Sequence, residues 1–264
     1  MNWIQGFLYG IISGLCEIIP VSSTGHQILL CSIFGKERDP ILNALVHISL
    51  IFAIYLACNN SLNFHLPFSG SRRRRRKTTP ETKYINTAAV VFSVFAALFT
   101  YLSRSGVSLI TVSVLFLING IVLFLSGRLL QGNRDVYGLS TLDSALTGLF
   151  GALSVFPGFS RTGLMLSYNV ARCADRQKAL DWILRISVPA LTVLTVLDII
   201  TAFVAVPALT VSVFFGYLCS IIGAFLGGYA GVLVMRFLAV RTGFSGFAYY
   251  VWGVALFSFI LYLI

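Results

Sequence analysis

Charge is what this chain has least of. Of its 264 residues, 11% are Asp, Glu, Lys or Arg, against roughly 25% in an average soluble domain, and 57% are hydrophobic with a mean hydropathy of +0.88. That shortage excludes a soluble globular domain and implies an integral membrane protein. Acid is scarcer still, with nine Asp and Glu against nineteen Lys and Arg, and there are only three histidines. The five cysteines, Cys16, Cys31, Cys58, Cys173 and Cys219, stand singly in apolar stretches with no CxxC or metal-ligand spacing, so they read as packing residues. A net charge of +10 could suggest nucleic acid, but the Arg72 to Lys77 run lies between apolar segments without interleaved aromatics. A membrane-surface anchor explains it better, and no nucleic-acid partner is expected. Met1 to Ile19 carries no Lys or Arg, which a signal peptide needs, so this segment is expected to belong to the mature protein.

What the chain does have is long apolar runs. Crossing a hydrocarbon core of ~30 Å takes about 20 residues. Six stretches qualify: Ile41 to Cys58, Tyr84 to Leu102, Val107 to Leu125, Trp182 to Val206, Ala208 to Val234 and Phe244 to Ile264. Two further apolar stretches are too short and are broken by polar strings: Trp3 to Ile19 with Gln27 to Phe34, and Ser144 to Phe156 with Leu164 to Val170. They read as re-entrant helical hairpins. The expected fold is therefore all-α and membrane-embedded, a single domain over 1–264 with about six transmembrane helices plus two re-entrant hairpins.

The two hairpins are related. Gly14 to Pro20 aligns its glycine and proline with Gly151 and Pro157 at a constant offset of 137, which implies an internal duplication, roughly 1–127 and 138–264. Three spans lie between the hairpins, so the copies sit on opposite faces, the inverted-repeat arrangement in which half-helix ends meet near the midplane. Placing the basic loop 60–83 in the cytoplasm collects fourteen Lys and Arg on that side and leaves Lys36, Arg38 and Arg104 outside, in keeping with the positive-inside rule. Both termini are then extracytoplasmic, and Arg161 and Arg185 remain within the membrane.

The strings that break the hairpins are Pro20-Val21-Ser22-Ser23-Thr24-Gly25-His26 and Pro157-Gly158-Phe159-Ser160-Arg161-Thr162-Gly163. Hydrogen-bonding backbone at membrane depth survives only where protein or a water-filled cavity covers it. The two strings are expected to face one another around a buried polar site. A guanidinium in such a place offers a fork of donors that fits phosphate or carboxylate, whereas a snorkelling Arg would lack the flanking glycines and the helix start at Thr162 or Gly163. Glu17, three residues before Pro20, needs a metal, a cation such as Arg161, or a proton. His26 lies close enough to approach the same pocket as acid or base. Ser22, Ser23 and Thr24 serve either as helix caps or, at Ser23, as a nucleophile. His47 reads as a packing histidine or a site residue, and Asp198 is too far along its helix from Arg185 to pair with it.

These residues resemble the bacterial undecaprenyl-diphosphate phosphatases of the bacitracin-resistance type, through Glu17 to His26 and Pro157 to Gly163, with weaker echoes at His47, Ser187-Val188-Pro189-Ala190 and Phe247-Ala248-Tyr249-Tyr250. The resemblance implies Glu17 as catalytic carboxylate or ligand of a divalent cation, Mg2+ or Ca2+, with Ser23 as nucleophile, His26 as proton carrier and Arg161 as diphosphate clamp. Ser22, Thr24, Gly25, Ser160, Thr162, Gly163 and His47 would contact the substrate. The implied substrate is a long polyprenyl diphosphate, dephosphorylated at the outer face of the bacterial cytoplasmic membrane to recycle the carrier lipid for peptidoglycan, and a homodimer fits the resemblance. The chain departs from the family where Ser13 replaces a second acid, Gly151 a common Gln, Val251 a frequent Arg and Arg185 an apolar residue. Those departures keep an alternative open, a carrier or flippase for a polyprenyl phosphate. A type-2 phosphatidic acid phosphatase is excluded because Ser167 and Ala171 stand where its His and Asp belong.

Overall fold

The computed structural model describes residues 1–58, 79–102, 107–130, 132–203, 210–241 and 244–264. These form ten α-helices: α1 (Trp3–Ile18), α2 (Ser23–Phe34), α3 (Pro40–Cys58), α4 (Pro80–Leu102), α5 (Leu109–Gly127), α6 (Thr141–Ala152), α7 (Arg161–Ala171), α8 (Arg176–Ala202), α9 (Val211–Arg241) and α10 (Ser245–Leu263). Six of them, α3, α4, α5, α8, α9 and α10, are long and apolar enough to cross a membrane. They are the six apolar runs of the sequence, with ends shifted by local chemistry. The α8 helix begins at Arg176 rather than Trp182 because the Asp175 side chain accepts the Lys178 N–H at 2.9 Å and caps it. The α9 helix runs past Val234 to Arg241. The Arg72 to Lys77 run, Arg104 and the expected span ends at Val206 and Ala208 lie outside the described residues.

The remaining helices are short. At 1.5 Å per residue, α1, α2, α6 and α7 measure roughly 16–24 Å, less than a hydrocarbon core. Helices α1 and α2 pack together across the turn at 19–22, and α6 packs with α7 across a 3-10 turn (Leu153–Val155) and the Pro157 string. These two packed helix pairs form where the sequence places the hairpins. Sliding the first five helices by the distance from Gly14 to Gly151 lays each of α1 to α5 on α6 to α10 in turn. Even the starts correspond: Asn2 and Gln5 form a capping box on α1, and Ser140 and Asp143 form one on α6.

Between lipid-facing helices there is no hydrophobic drive, so close backbone approach and interhelical hydrogen bonds do the packing. Along the α1–α9 seam a Cβ on Gly10 would fall 2.1 Å from the Ser220 carbonyl oxygen, and one on Gly14 would fall 2.4 Å from that of Ala224. Only glycine lets these helices touch. The α5–α10 pair instead uses Ser113 Oγ to the Ala255 carbonyl at 2.7 Å and Ser258 Oγ to that of Leu109 at 3.1 Å. Outward-facing Phe52, Val90, Val94, Leu125 and Leu256 are exposed, as residues meeting acyl chains are. Arg185 pairs with Glu81 on α4 at 3.0 Å. Cys16, Cys31 and Cys58 are buried packing residues as expected, but Cys173 is exposed in the left-handed region at φ 62°, because it lies in the tight turn after α7.

Candidate active site

The two polar strings meet. Ser22 caps α2 by accepting the Gly25 N–H at 3.3 Å, and the same Oγ accepts the Gly158 N–H of the other string at 3.1 Å. This double use holds Ser22 at φ 69°, a left-handed conformation. Such strain persists where the surroundings over-determine it. Ser160 caps α7 through the Gly163 N–H at 3.1 Å. Asn119, buried on α5, ties the strings together by accepting the Ser160 N–H at 3.2 Å and donating to the Pro20 carbonyl at 3.4 Å. Thr162 Oγ1 donates to the Glu17 carbonyl at 3.1 Å, and Thr24 Oγ1 donates to that of Ser154 at 3.4 Å.

This frame leaves Ser23 and Arg161 at the first position of their helices, beside Glu17 in the last turn of α1. One Glu17 carboxylate oxygen accepts the Ser23 hydroxyl, and the other lies 3.1 Å from Arg161 Nη2. The ion pair that was one of three readings of Glu17 is therefore made. Arg161 is 2% exposed, and its Nε and Nη1 have no hydrogen-bond partner among the described residues. A buried guanidinium with idle donors is costly unless an anion completes it. At the starts of α2 and α7 the N–H groups of Ser23, Thr24, Arg161 and Thr162 also lack intrahelical acceptors.

A cavity of about 700 Å³ opens onto these groups. Of the residues expected at the site, Glu17, Ser23, Thr24, Arg161 and His47 line it. Ser22, Ser160 and Thr162 are absent from its wall; the first two accept frame N–H groups and the third donates to the Glu17 carbonyl. Gly25 and Gly163 lie beneath, where a Cβ would fall 2.4 Å from Phe116 and 3.1 Å from Pro20. His26 also stands off the wall. Its Nδ1 is 2.7 Å from the Ser22 carbonyl, which requires an N–H there, and its Nε2 faces the Tyr250 hydroxyl at 2.9 Å. Sequence reasoning did not place Arg38, Asn43 or Asp198, which also line the cavity. The signal available for Asn43 and Asp198 was a polar residue inside an apolar span.

For a divalent cation the donor set is thin. Among the described residues no three His, Cys, Asp or Glu cluster. Magnesium commonly takes one or two carboxylates and completes its shell from substrate phosphates and water. Glu17 with the Ser23 hydroxyl fits that mode and no all-protein cage.

A family model described as bacitracin resistance protein BacA matches residues 6–257. The chain is 29% identical to undecaprenyl-diphosphatase 3 of Bacillus cereus over 261 residues, covering 97% of this chain and 96% of that protein. It is 28% identical to undecaprenyl-diphosphatase of Carboxydothermus hydrogenoformans over 256 residues, 96% and 94% of the two chains. The undecaprenyl-diphosphatase of Thermosipho melanesiensis is 26% identical over 261 residues, 96% and 97% of the two chains. The chain belongs to the BacA bacitracin-resistance family.

Proposed function

We propose that this multi-pass membrane protein hydrolyses undecaprenyl diphosphate to undecaprenyl phosphate and inorganic phosphate. The observation that carries the reading is Arg161, buried on the cavity wall with Nε and Nη1 unpartnered beside the Glu17–Ser23 pair. The relatives named as diphosphatases match along nearly the whole chain, and the carrier alternative has no observation in its favour.

The terminal phosphoryl group lies against Arg161 and the first-turn N–H groups of α2 and α7, which absorb charge on its equatorial oxygens. Phosphoryl transfer depends mainly on such positioning and neutralisation. Ser23 Oγ attacks phosphorus and passes its proton to Glu17, which already accepts that hydroxyl. The bridging P–O bond breaks with its electron pair on the departing polyprenyl phosphate. Water then attacks the phosphoserine, and Glu17 returns the proton to Ser23 Oγ. A Mg2+ or Ca2+ ion held by Glu17 and Ser23 with the diphosphate would add further charge neutralisation. The reading also places the site at the outer face of the bacterial cytoplasmic membrane, with both termini extracytoplasmic, where recycled carrier lipid supports peptidoglycan synthesis.

The test is phosphate release from a long-chain polyprenyl diphosphate by detergent-purified protein, with and without EDTA. Release by the wild type that EDTA suppresses is expected. Arg161→Ala should lower it by about 10³-fold, the scale of losing a charge-stabilising donor. A wild type that binds the lipid and releases no phosphate would overturn the reading in favour of a carrier.

A further inference from the structure

Besides Glu17, Ser23 and Arg161, the cavity wall carries a second polar group formed by Arg38, Asn43, His47 and Asp198. Two of its members are engaged by neighbours. Tyr9 of α1 donates to Asn43, Arg38 donates to Gln27 at 3.1 Å, and Tyr217 of α9 takes the adjacent Asp39. The other two form a dyad: His47 of α3 sets Nδ1 3.1 Å from Asp198 Oδ2 of α8. Among the described residues no hydrogen bond takes either of those two atoms elsewhere, and both residues line the cavity. The contrast with His26 is direct, since both of its ring nitrogens are held by protein. A carboxylate behind Nδ1 orients the ring and leaves Nε2 to serve a ligand.

We propose, building on the diphosphatase reading, that His47 is the proton donor to the leaving group and Asp198 is its positioning residue, while His26 braces the frame. As the bond from the terminal phosphorus to the bridging oxygen breaks, its electron pair stays on that oxygen and His47 Nε2 supplies the proton. The water that later attacks the phosphoserine delivers hydroxide to phosphorus and its second proton to His47, restoring the dyad.

Steady-state phosphate release in single and double variants tests this. His47→Gln should lower kcat by about 10²-fold, within the range of general acid catalysis, with KM little changed. Asp198→Asn, which keeps the shape, should lower kcat by about 10-fold, and Asp198→Glu should recover part of it. In the His47→Gln background Asp198→Asn should cost nothing further, because it acts through the imidazole. Wild-type kcat in His47→Gln, or an equal loss from Asp198→Asn in both backgrounds, would overturn the assignment while leaving the diphosphatase intact. Absence of phosphate release from the wild type would overturn both.

Discussion

At the first hairpin tip Ser22 caps α2 through Gly25 N–H at 3.3 Å, and at the second Ser160 caps α7 through Gly163 N–H at 3.1 Å. One residue on, the first tip presents Ser23 and the second Arg161, each at the opening position of its helix and each on the wall of one cavity. The threonines that follow are used reciprocally, Thr24 on the Ser154 carbonyl and Thr162 on that of Glu17. Offset by the distance between the two prolines, Glu17 of the first copy stands opposite Ser154 of the second. A shared frame therefore carries opposite chemistry. The first tip supplies a carboxylate and a hydroxyl for bond making, and the second supplies a cation for holding the anion. Caps and reciprocal threonines fix position, so one substitution at the opening helical residue is enough to divide the labour.

The largest test of that division compares the two opening residues directly. Ser23→Ala should lower kcat by about 10³-fold or more, as expected for loss of a nucleophile acting in a unit, while the lipid still binds. Arg161→Ala should raise the dissociation constant of the same lipid as well. Equal effects of both variants on binding would erase the distinction between the tips.

A smaller difference is expected in the frame. Gly25 packs under Phe116, which is fully buried, and a Cβ there would lie 2.4 Å from the ring. Gly25→Ala should cost about 1–3 kcal/mol of stability, the usual penalty of overpacking. At Gly163 the nearest atoms lie at 3.1 Å, so Gly163→Ala should lower the melting temperature less. The reverse order in thermal melts would show that the second tip is the more tightly built.

The smallest effect lies at the bases of the hairpins. The capping box of α6 contains Asp143, where that of α1 has the neutral Gln5. Burial works to raise the Asp143 carboxyl, but hydrogen bonds from Ser140 N–H and Oγ, Tyr168 and Arg172 overcome it and hold it at about 2. A carboxylate depressed on folding contributes stability above its unfolded value of about 3.9 and loses it as pH falls through the folded one. Melting temperature should therefore drop between about pH 4 and pH 2, and Asp143→Asn should flatten that drop. A drop of the same size in the variant would place the acid sensitivity elsewhere.

Much of this molecule was legible before folding. The six spans follow from hydropathy and length. The hairpin breaks follow from Pro, Gly and hydroxyl residues in oil, and the Glu17–Arg161 pairing was among the readings that a buried acid allows. What the sequence left open lies at the strings themselves. Ser22 and Ser160 accept backbone N–H groups through Oγ and Thr162 donates to the Glu17 carbonyl, because buried helix starts must be satisfied. His26 has a partner, Tyr250, that comes from the far end of the chain and that no local pattern announces.

The sequence by itself determined the membrane class, the helices and the places where polar groups interrupt them. Those depend on local composition and on the cost of putting a hydrogen-bonding group into hydrocarbon, which every residue carries with it. Only the tertiary structure decided which hydroxyls cap and which face the cavity, and that Asp198 of α8 reaches His47 of α3 at 3.1 Å rather than a charge on its own helix. Side-chain direction and partners from distant segments exist only once the helices have packed, so no local pattern could encode them legibly.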